Sequence, residues 1–515
     1  MIQKIRTYTH LGLQGYEIIV EADANNSIPS IEIIGLPDAA IKESKERIRA
    51  TFRNVGITIP NKKFILNLAP SDLKKVGTSF DLPMAVALLF LIFEDHVFVP
   101  RFFEKSLFFG ELGLDGSLKP INGLLPCIID AAKHGYTTFF IPAENIYEVE
   151  YIPGIVLYPL THFHQLLEFF LYGKELEKVD QPKELPDFDM TQIGSVDFEH
   201  IKGLLFAKRA LAIAAAGFHN LLLVGAPGSG KTLLSRAIQG ILPPLSFGEI
   251  LEVSQIYSVV GKLHKDQPLI LQRPYRQIHH TASKISIVGG GAALTPGEVS
   301  LAHKGILFFD ELTEFPREVL EVLRQPLEDS MITISRVSGS IQYPANFMFV
   351  ASMNPCKCGY YKDKEKACIC SFADIKRYQS KISGPLLDRI DMILEIPRIP
   401  VDSLLTTSVE ESSFTLRQKV LVAWKRQQQR FVGLSLTANA HMKSQHLSQF
   451  IPLDAACKEF LSEAAHKLTL SPRVIHRIMK LARTIADMEE KEQVDIACLA
   501  ESLQYRNRTF FVESE

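Results

Sequence analysis

The sequence lacks an apolar run long enough to cross a membrane. The longest run, Pro83–Phe93, ends at Glu94 and Asp95 and has about half of the roughly 20 residues that a transmembrane helix needs. Residues 1–20 alternate polar and apolar side chains, so we expect neither a secretory signal nor a membrane partner. Pro83–Phe93 is instead predicted to lie in a buried helix.

An excess of charge is also missing, and cysteine is scarce. The formal net charge is −2, which excludes a globally basic nucleic-acid-binding protein, so that binding to DNA or RNA would need local basic patches or a pore. Of the seven cysteines, four lie between positions 356 and 370. This distribution favours a metal site in a reducing cytoplasmic environment over a disulfide framework.

The length of 515 residues predicts about three domains. Residues 172–195 are charged and interrupted by prolines, which is typical of a linker. Residues 1–171 contain strand-like and helix-like runs, which predicts an α+β domain. Its strands are predicted at Tyr16–Ala22, Ile28–Ile34 and Lys63–Leu68, and its helices at Ala39–Val55 and Leu82–Phe93.

The remaining residues divide into two parts. Residues 196–400 alternate apolar strands with helices, which predicts an α/β core around a parallel sheet. Residues 401–515 have no strand signal and predict a helical C-terminal lid. The helices of the lid are predicted at Leu416–Phe431, Leu453–Leu468 and Pro472–Met488.

A glycine-rich loop lies between the apolar strand Asn220–Gly225 and a helix-like stretch, the context that a phosphate-binding P-loop requires. Backbone N–H groups of such a loop surround phosphates, and the helix N-terminus adds positive partial charge. We expect Lys231 to reach the β- and γ-phosphates of ATP and Thr232 to bind Mg²⁺. The predicted binding residues are Gly225, Ala226, Pro227, Gly228, Ser229, Gly230, Lys231 and Thr232.

Polar residues follow two further apolar strands. Asp310 and Glu311 come directly after Gly305–Phe309, and Asn354 comes after Phe347–Met353. Because parallel strands gather a site at their carboxyl ends, Asp310 is predicted to hold Mg²⁺ through water and Glu311 to orient the attacking water. Asn354 is predicted to contact the γ-phosphate or that water, the sensor-1 role.

Phosphoryl transfer also needs positive charge beyond the γ-phosphate. Arg389 precedes the predicted strand Met392–Ile396, and Arg473 begins a predicted helix. Arg477 and Lys480 lie on the same helical face as Arg473, and for these two a purely solvated role stays open.

Additional motifs surround these residues. They are the triple glycine 289–291, the stretch Pro296–Gly305 and the stretch Leu323–Asp329. With the phosphate loop and the domain order, they resemble the ComM/YifB family of magnesium-chelatase-like AAA+ proteins over nearly the whole chain. One departure is Leu204, where the family commonly has glutamine, which leaves the adenine-side contacts open.

The resemblance implies a cytoplasmic homo-hexamer that uses ATP and Mg²⁺. It implies that Arg389 is an arginine finger given to the neighbouring subunit and that Arg473 is sensor 2. Characterised competence members of the family act as DNA helicases that promote branch migration when incoming single strands are integrated by recombination. The implied partners are single-stranded and branched DNA, together with recombination proteins.

The N-terminal residues resemble a Lon-type Ser/Lys protease, which has a ribosomal S5 domain 2-like fold. Ser79 occupies the position of the nucleophile, but Leu125 occupies that of the lysine. A serine hydroxyl is a weak nucleophile without an adjacent base, and leucine accepts no proton. We therefore expect a Lon-protease-like scaffold without peptidase activity.

The clustered cysteines form two pairs with one residue inside each pair. Four thiolates suit a structural Zn²⁺ ion, although two residues inside each pair is the usual spacing, so free thiols remain the alternative. The cysteines are Cys356, Cys358, Cys368 and Cys370.

Two segments are candidate DNA contacts. Met331–Tyr343 contains two β-like runs around a turn, with Arg336 near its tip; in helicase-like AAA+ rings a hairpin at this position points into the pore. Lys284 lies in a second candidate loop, after the paired histidines His279 and His280, which point different ways and favour packing over metal binding.

Three functions are therefore open. The first is a DNA motor, and the second is a protein-remodelling or metal-insertion motor like the chelatase subunit. The third is an ATP-dependent peptidase, which Leu125 disfavours. Because chelatase motor subunits are expected to lack the Lon-like domain, the first function is favoured.

Overall fold

The computed structural model describes residues 2–94, 96–185, 194, 196–291, 294–336, 339–363, 365–398, 410–506 and 511. Contacts divide the chain into two compact units. The first unit comprises Met1–Asp187 together with Ile250–Ile270, and the second comprises Phe188–Glu249 together with Leu271–Glu515. Both units contain helices and strands, as predicted.

The first unit contains a four-stranded mixed sheet and a three-stranded parallel sheet. In the mixed sheet only one neighbouring pair, Ser30–Ile34 with Lys63–Ala69, is parallel. In sheet order its strands are Gln3–Leu11, Gln14–Asn25, Lys63–Ala69 and Ser30–Ile34. The parallel sheet consists of Ser106–Phe108, Thr138–Pro142 and Val156–Leu160, and a small hairpin joins Glu111–Leu112 to Leu118–Lys119.

The helices of this unit pack on the two sheets. Asp81–Ile92 is apolar along most of its length and buries Leu82 through Phe90, which confirms the predicted buried helix. Asp38 caps the amphipathic helix Ala39–Asn54 by accepting a hydrogen bond from the Ile41 backbone N–H at 2.9 Å. The other α-helices that lie wholly in this unit are Leu124–Lys133, Ile146–Val149 and Phe163–Tyr172.

Part of the predicted linker packs on the first unit. Val179 and Leu157 exchange two backbone hydrogen bonds of 2.8 Å. Lys183 forms an ion pair with Glu150 at 2.7 Å. Residues 186–193 and 195 of the predicted linker lie outside the described residues.

The segment Ile250–Ile270 comes from the middle of the predicted ATPase core, yet its contacts are with the first unit. Ser258 is central to this packing: its hydroxyl donates to a buried Glu148 oxygen at 2.6 Å, and its carbonyl accepts from the Gly123 N–H at 3.0 Å. The Tyr147 hydroxyl donates to the Leu263 carbonyl, also at 3.0 Å. The chain therefore enters the first unit inside the helix Phe247–Val259.

The second unit is built around a five-stranded sheet in which every neighbouring pair is parallel. Leu221–Gly225 is fully buried and lies between two strands that come later in the chain. The order across the sheet is Tyr275–Ile278, Ile306–Phe309, Met348–Met353, Leu221–Gly225 and Met392–Ile396. The predicted parallel α/β core is thus confirmed.

Short helices and strands connect and flank this sheet. The helices are Leu205–Gly217, Lys231–Ala237, Phe247–Val259, Lys284–Val288, Glu298–Leu301, Arg317–Val322, Arg324–Asp329, Phe372–Gln379 and Gly384–Leu387. Gly289–Gly290 pairs with Thr295–Pro296. Met331–Arg336 pairs with Gly339–Pro344 in the predicted hairpin.

Residues 410–506 are helical and add to the apolar core of the second unit. The α-helices are Ser413–Arg430, Ser444–Phe450, Ala455–Lys467, Pro472–Met488 and Ile496–Gln504. Each of the three predicted helices is present within a few residues of its expected bounds. Among the described residues, no helix combines the length and apolarity that a bilayer crossing requires.

A buried charge joins these C-terminal helices to the sheet. Asp391 accepts a hydrogen bond from the Asn220 N–H at 2.9 Å. It also forms an ion pair with Arg477. Burial raises the pKa of Asp391, but the positive charge of Arg477 and a hydrogen bond from His219 outweigh burial and hold the pKa well below its usual range. Lys480 donates to the Ala440 carbonyl at 3.0 Å, so neither Arg477 nor Lys480 is merely solvated.

We predict that Asp391→Asn lowers the free energy of unfolding of the second unit by about 3–5 kcal/mol, because breaking a buried ion pair leaves Arg477 without its carboxylate partner. The depressed pKa means that this stabilisation is present at neutral pH and is lost only as the pH falls below about 3.9 toward the folded-state pKa. Thermal unfolding followed by circular dichroism measures the loss. Asp266→Asn, at an exposed position, is the control, and equal melting temperatures for the two variants would contradict the prediction.

Candidate active site

The phosphate loop connects the buried strand Leu221–Gly225 to the helix that begins at Lys231. Gly228 and Gly230 have φ angles of +79° and +88°, which side chains other than glycine rarely adopt. A Cβ atom on Gly225 would lie 2.4 Å from the Ile396 carbonyl oxygen, so that the neighbouring strand also requires glycine there. The loop residues therefore have the conformation in which backbone N–H groups can surround a phosphate.

Lys231 lies inside this loop. Its ammonium group donates to the carbonyls of Gly225 at 2.8 Å and Ala226 at 2.9 Å, and to Asn354 Oδ1 at 3.2 Å. Burial lowers the pKa of Lys231 to about 8, while the negative charges of Asp310 and Glu311 oppose that shift. The structure thus brings together the predicted lysine and the predicted amide from two neighbouring strands.

The residues predicted to bind Mg²⁺ also meet. Thr232 Oγ1 donates to Asp310 Oδ2 at 3.1 Å. A hydroxyl and a carboxylate supply hard oxygen ligands, which suit Mg²⁺ when phosphate oxygens and waters complete its octahedral shell. The donor chemistry of Thr232 and Asp310 therefore fits the implied metal.

Ser352 completes the acidic site and was not among the residues predicted from the sequence. Its hydroxyl donates to Asp310 Oδ1 at 2.6 Å and accepts from the Glu311 N–H at 3.1 Å. Ser352 thereby orients one carboxylate and fixes the backbone of the next residue. The available signal was a buried polar side chain within the otherwise apolar strand Met348–Met353.

Glu311 differs from Asp310 in conformation and exposure. Its φ angle is +53°, which is uncommon for a residue with a side chain and is often found at functional sites. The side chain is exposed, whereas Asp310 is half-buried and hydrogen-bonded. This arrangement leaves the Glu311 carboxylate accessible to water beside the predicted metal position.

Arg389 makes contacts within its own chain. It forms an ion pair with Glu328 and donates to the Pro385 carbonyl at 2.8 Å. The Arg389 side chain is 10% exposed, whereas that of Glu328 is 54% exposed. Both residues line an open polar cavity of about 620 Å³, which Lys284 also lines. The pattern of the sequence did not reveal Glu328 because its partner is distant in the chain.

Arg473 is not brought to the phosphate loop. Arg473 lies exposed in the first turn of the helix Pro472–Met488. Within the described ranges, Arg473 makes no hydrogen bond or ion pair with the phosphate loop. The backbone of Arg336 ends one strand of the hairpin, but its side chain and residues 337–338 lie outside the described part.

The four clustered cysteines have the geometry of a metal site. The Sγ atoms of Cys356, Cys358 and Cys368 are 3.3–3.6 Å apart, and with that of Cys370 all four lie within 4.8 Å of one another. A tetrahedral site with Zn–S bonds of about 2.3 Å has similar sulfur separations. The cysteine set can therefore hold Zn²⁺.

Three family models match this chain. Residues 20–145 match a model described as subunit ChlI of Mg-chelatase. Residues 197–404 match magnesium chelatase, subunit ChlI, and residues 410–506 match its C-terminal model. The N-terminal match weakens the expectation that this region separates the chain from chelatase subunits.

Full-length relatives are also similar. The sequence is 39% identical to YifB of Escherichia coli and 38% identical to YifB of Salmonella typhimurium, both described as uncharacterized, over 98% of this chain and 96% of each relative. It is 37% identical to the competence protein ComM of Haemophilus influenzae over 96% of both chains.

We predict that ATP affinity falls at alkaline pH. Because Lys231 has a pKa of about 8, it is charged below that pH, and above it ATP binding must take up a proton. The affinity should decrease by up to about tenfold per pH unit above pH 8. Titration with a fluorescent ATP analogue from about pH 7.5 to 9.5 measures this effect.

Lys231→Arg is the matched control, because a guanidinium stays charged over this range. Whatever the affinity of the Lys231→Arg variant for the ATP analogue, that affinity should not fall between about pH 8 and 9.5 as the wild-type affinity does. Parallel pH profiles for the two proteins would show that Lys231 does not cause the dependence.

Proposed function

This chain belongs to the ComM/YifB family of magnesium-chelatase-like AAA+ proteins, as its motifs predicted, and from that membership we propose that it is a hexameric ATP-driven DNA motor. The proposed task is branch migration during recombination or integration of transforming DNA. The observation that carries the ATPase part is the convergence of Lys231, Asn354, Thr232 and Asp310 at the ends of three parallel strands.

Each side chain has a proposed role in hydrolysis. Lys231 exchanges its carbonyl partners for β- and γ-phosphate oxygens. Thr232 and Asp310 would hold Mg²⁺, which would supply positive charge against the developing negative charge. Glu311 orients a water and receives its proton as the water oxygen bonds to the γ-phosphorus. The bond from that phosphorus to the β–γ bridging oxygen breaks, which releases ADP and phosphate. Asn354 contacts the γ-phosphate or the water.

We propose that Arg389 acts on the ATP of the neighbouring subunit. Its contact with Glu328 holds the guanidinium inside its own chain, so assembly must exchange the carboxylate for a γ-phosphate. Arg473 is proposed as sensor 2; its exposed position in the first helical turn leaves it accessible to nucleotide.

The DNA part of the proposal rests on the family and on the hairpin. One relative is named as a competence protein. Met331–Arg336 pairs with Gly339–Pro344 in a hairpin, which supports the proposal because helicase-like rings point such a hairpin into the pore. Arg336 and Lys284 are the proposed contacts with single-stranded or branched DNA, and recombination proteins are the proposed partners.

The N-terminal region is proposed to be a Lon-protease-like scaffold without peptidase activity. Leu125 lies fully buried in the helix Leu124–Lys133 and supplies no base for Ser79. With it, we propose the predicted domain bounds: residues 1–171, a linker over 172–195, an AAA+ core over 196–400 and a helical lid over 401–515. Within the range of the core, the segment Ile250–Ile270 is the exception, because it packs in the first unit.

A chelatase-like motor without DNA translocation is the second candidate. Three magnesium-chelatase models match separate parts of this chain, which supports it. The two candidates differ in what stimulates ATP hydrolysis: forked or single-stranded DNA for the first, and a protein partner for the second.

We predict Mg²⁺-dependent ATP hydrolysis that forked DNA accelerates. Lys231→Ala should abolish nucleotide binding, whereas Glu311→Gln should retain binding and lose about 10²–10⁴-fold in turnover, because it removes the group that accepts the proton. Steady-state hydrolysis and strand exchange on a synthetic four-way junction measure these effects.

Glu314→Gln, an exposed acid a few residues away, is the control and should behave as wild type. Hydrolysis that is indifferent to DNA would contradict the motor and favour the second candidate. The absence of any ATP binding would contradict both.

We also predict that Glu328→Gln raises turnover several-fold at protein concentrations where rings are scarce, because Arg389 is no longer held by a carboxylate. Arg389→Ala should lower turnover by about 10³-fold or more. Hydrolysis measured against protein concentration tests both variants. Glu321→Gln, which changes another acid lining the same cavity, is the control, and equal turnover for the two glutamine variants would contradict the prediction.

A further inference from the structure

The cysteine cluster is directly connected to the nucleotide site through the chain. Asn354 accepts a hydrogen bond from Lys231, and Cys356 follows it after Pro355. Pro355 is held in place by a buried hydrogen bond of 2.8 Å from Gln379 Nε2 to its carbonyl. The first cysteine is therefore anchored beside the residue that contacts the phosphate-loop lysine.

A second contact joins the cluster to the phosphate loop itself. Gly359, the residue after Cys358, is buried, and a Cβ atom added to it would lie 2.5 Å from Cδ of Pro227. Its φ angle of +87° also disfavours other residues. The backbone between the two cysteine pairs thus packs against the phosphate loop with no space for a side chain.

A metal ion would fix this arrangement. The two cysteine pairs are joined by a loop in which Lys362, Glu365 and Lys366 are exposed. An ion pair of 3.2 Å between Asp363 and Arg398 holds one point of this loop, but thiols alone supply little force to keep the cysteine pairs together. Four metal–sulfur bonds stabilise the closed loop strongly, since metal-binding free energy contributes directly to local folding. The same bonds would hold Gly359 against Pro227.

We propose that the four cysteines bind Zn²⁺ and that the bound ion holds residues 354–359 against Pro227, so that zinc occupancy controls the affinity of the phosphate loop for ATP. The proposal rests on the proposed ATPase function. It makes the cysteine cluster a positioning element for Asn354 and Lys231, which act on the phosphates.

The test measures zinc content and nucleotide affinity separately on the full-length protein. Wild-type protein purified without chelator should contain about one zinc per chain by elemental analysis, since four ligands complete one tetrahedral site. The double variant Cys368→Ser and Cys370→Ser should lack zinc. Its affinity for a fluorescent ATP analogue should fall about tenfold, within the usual range for coupling between two sites.

Two single variants separate the contact from the metal. Gly359→Ala should keep its zinc but bind the analogue more weakly, because its new methyl group displaces Pro227. Lys376→Ala, at an exposed position in the adjoining helix, should keep both properties. Returning Zn²⁺ to chelator-treated wild-type protein should restore the affinity.

Wild-type protein without zinc would overturn the metal site. Zinc-free protein with unchanged ATP affinity would overturn the coupling while leaving the proposed ATPase intact. Zinc-loaded protein that binds no nucleotide would instead overturn the proposed ATPase function and the coupling with it. If the double variant fails to fold, as judged by circular dichroism, Gly359→Ala still decides the question: unchanged affinity in that variant overturns the coupling.

Discussion

Backbone pairing on both sides of the strand Leu221–Gly225 is the constraint on which the candidate active site depends. The strand is hydrogen-bonded in parallel to Met348–Met353 and to Met392–Ile396, so the three strands end at one edge of the sheet. That edge places Asn354 beside Lys231 and leaves Ile396 against Gly225. Because every contact is set by register, a shift of one residue would turn the polar groups away from the phosphate loop.

The sequence predicted the parts of the site that local rules determine. Strand, glycine loop and helix occur in sequence order, and an acidic pair or an amide directly after an apolar strand must lie at the strand's end. In the structure, Lys231 accordingly contacts Asn354, and Asp310 contacts Thr232. Ser352 and Glu328 escaped prediction because their roles arise from partners distant in sequence. Local pattern also does not distinguish a solvated arginine from one that meets a buried carboxylate, as Arg477 does.

Charge and burial are balanced differently at two positions of the second unit. Lys231 is buried among carbonyl oxygens, and burial lowers the pKa of its ammonium group. Asp391 is buried beside Arg477, whose positive charge keeps the pKa of the carboxyl group low and the group ionised. Lys231 can therefore exchange its carbonyl partners for phosphate oxygens, whereas Asp391 keeps Arg477 as its partner. The same unit thus combines an exchangeable cation at the phosphate loop with a permanent ion pair that fastens the C-terminal helices.

The segment Ile250–Ile270 has a consequence for biosynthesis. It follows the phosphate loop in sequence, yet its hydrogen-bond partners Gly123, Tyr147 and Glu148 lie in the N-terminal part of the first unit. A nascent chain leaving the ribosome therefore cannot form all the contacts of its first unit when translation passes the linker. Gly123, Tyr147 and the buried Glu148 must wait until Ser258 and Leu263 have emerged. Because domains otherwise tend to fold as they are synthesised, this interleaving delays the first unit until much of the nucleotide-binding region has also been made.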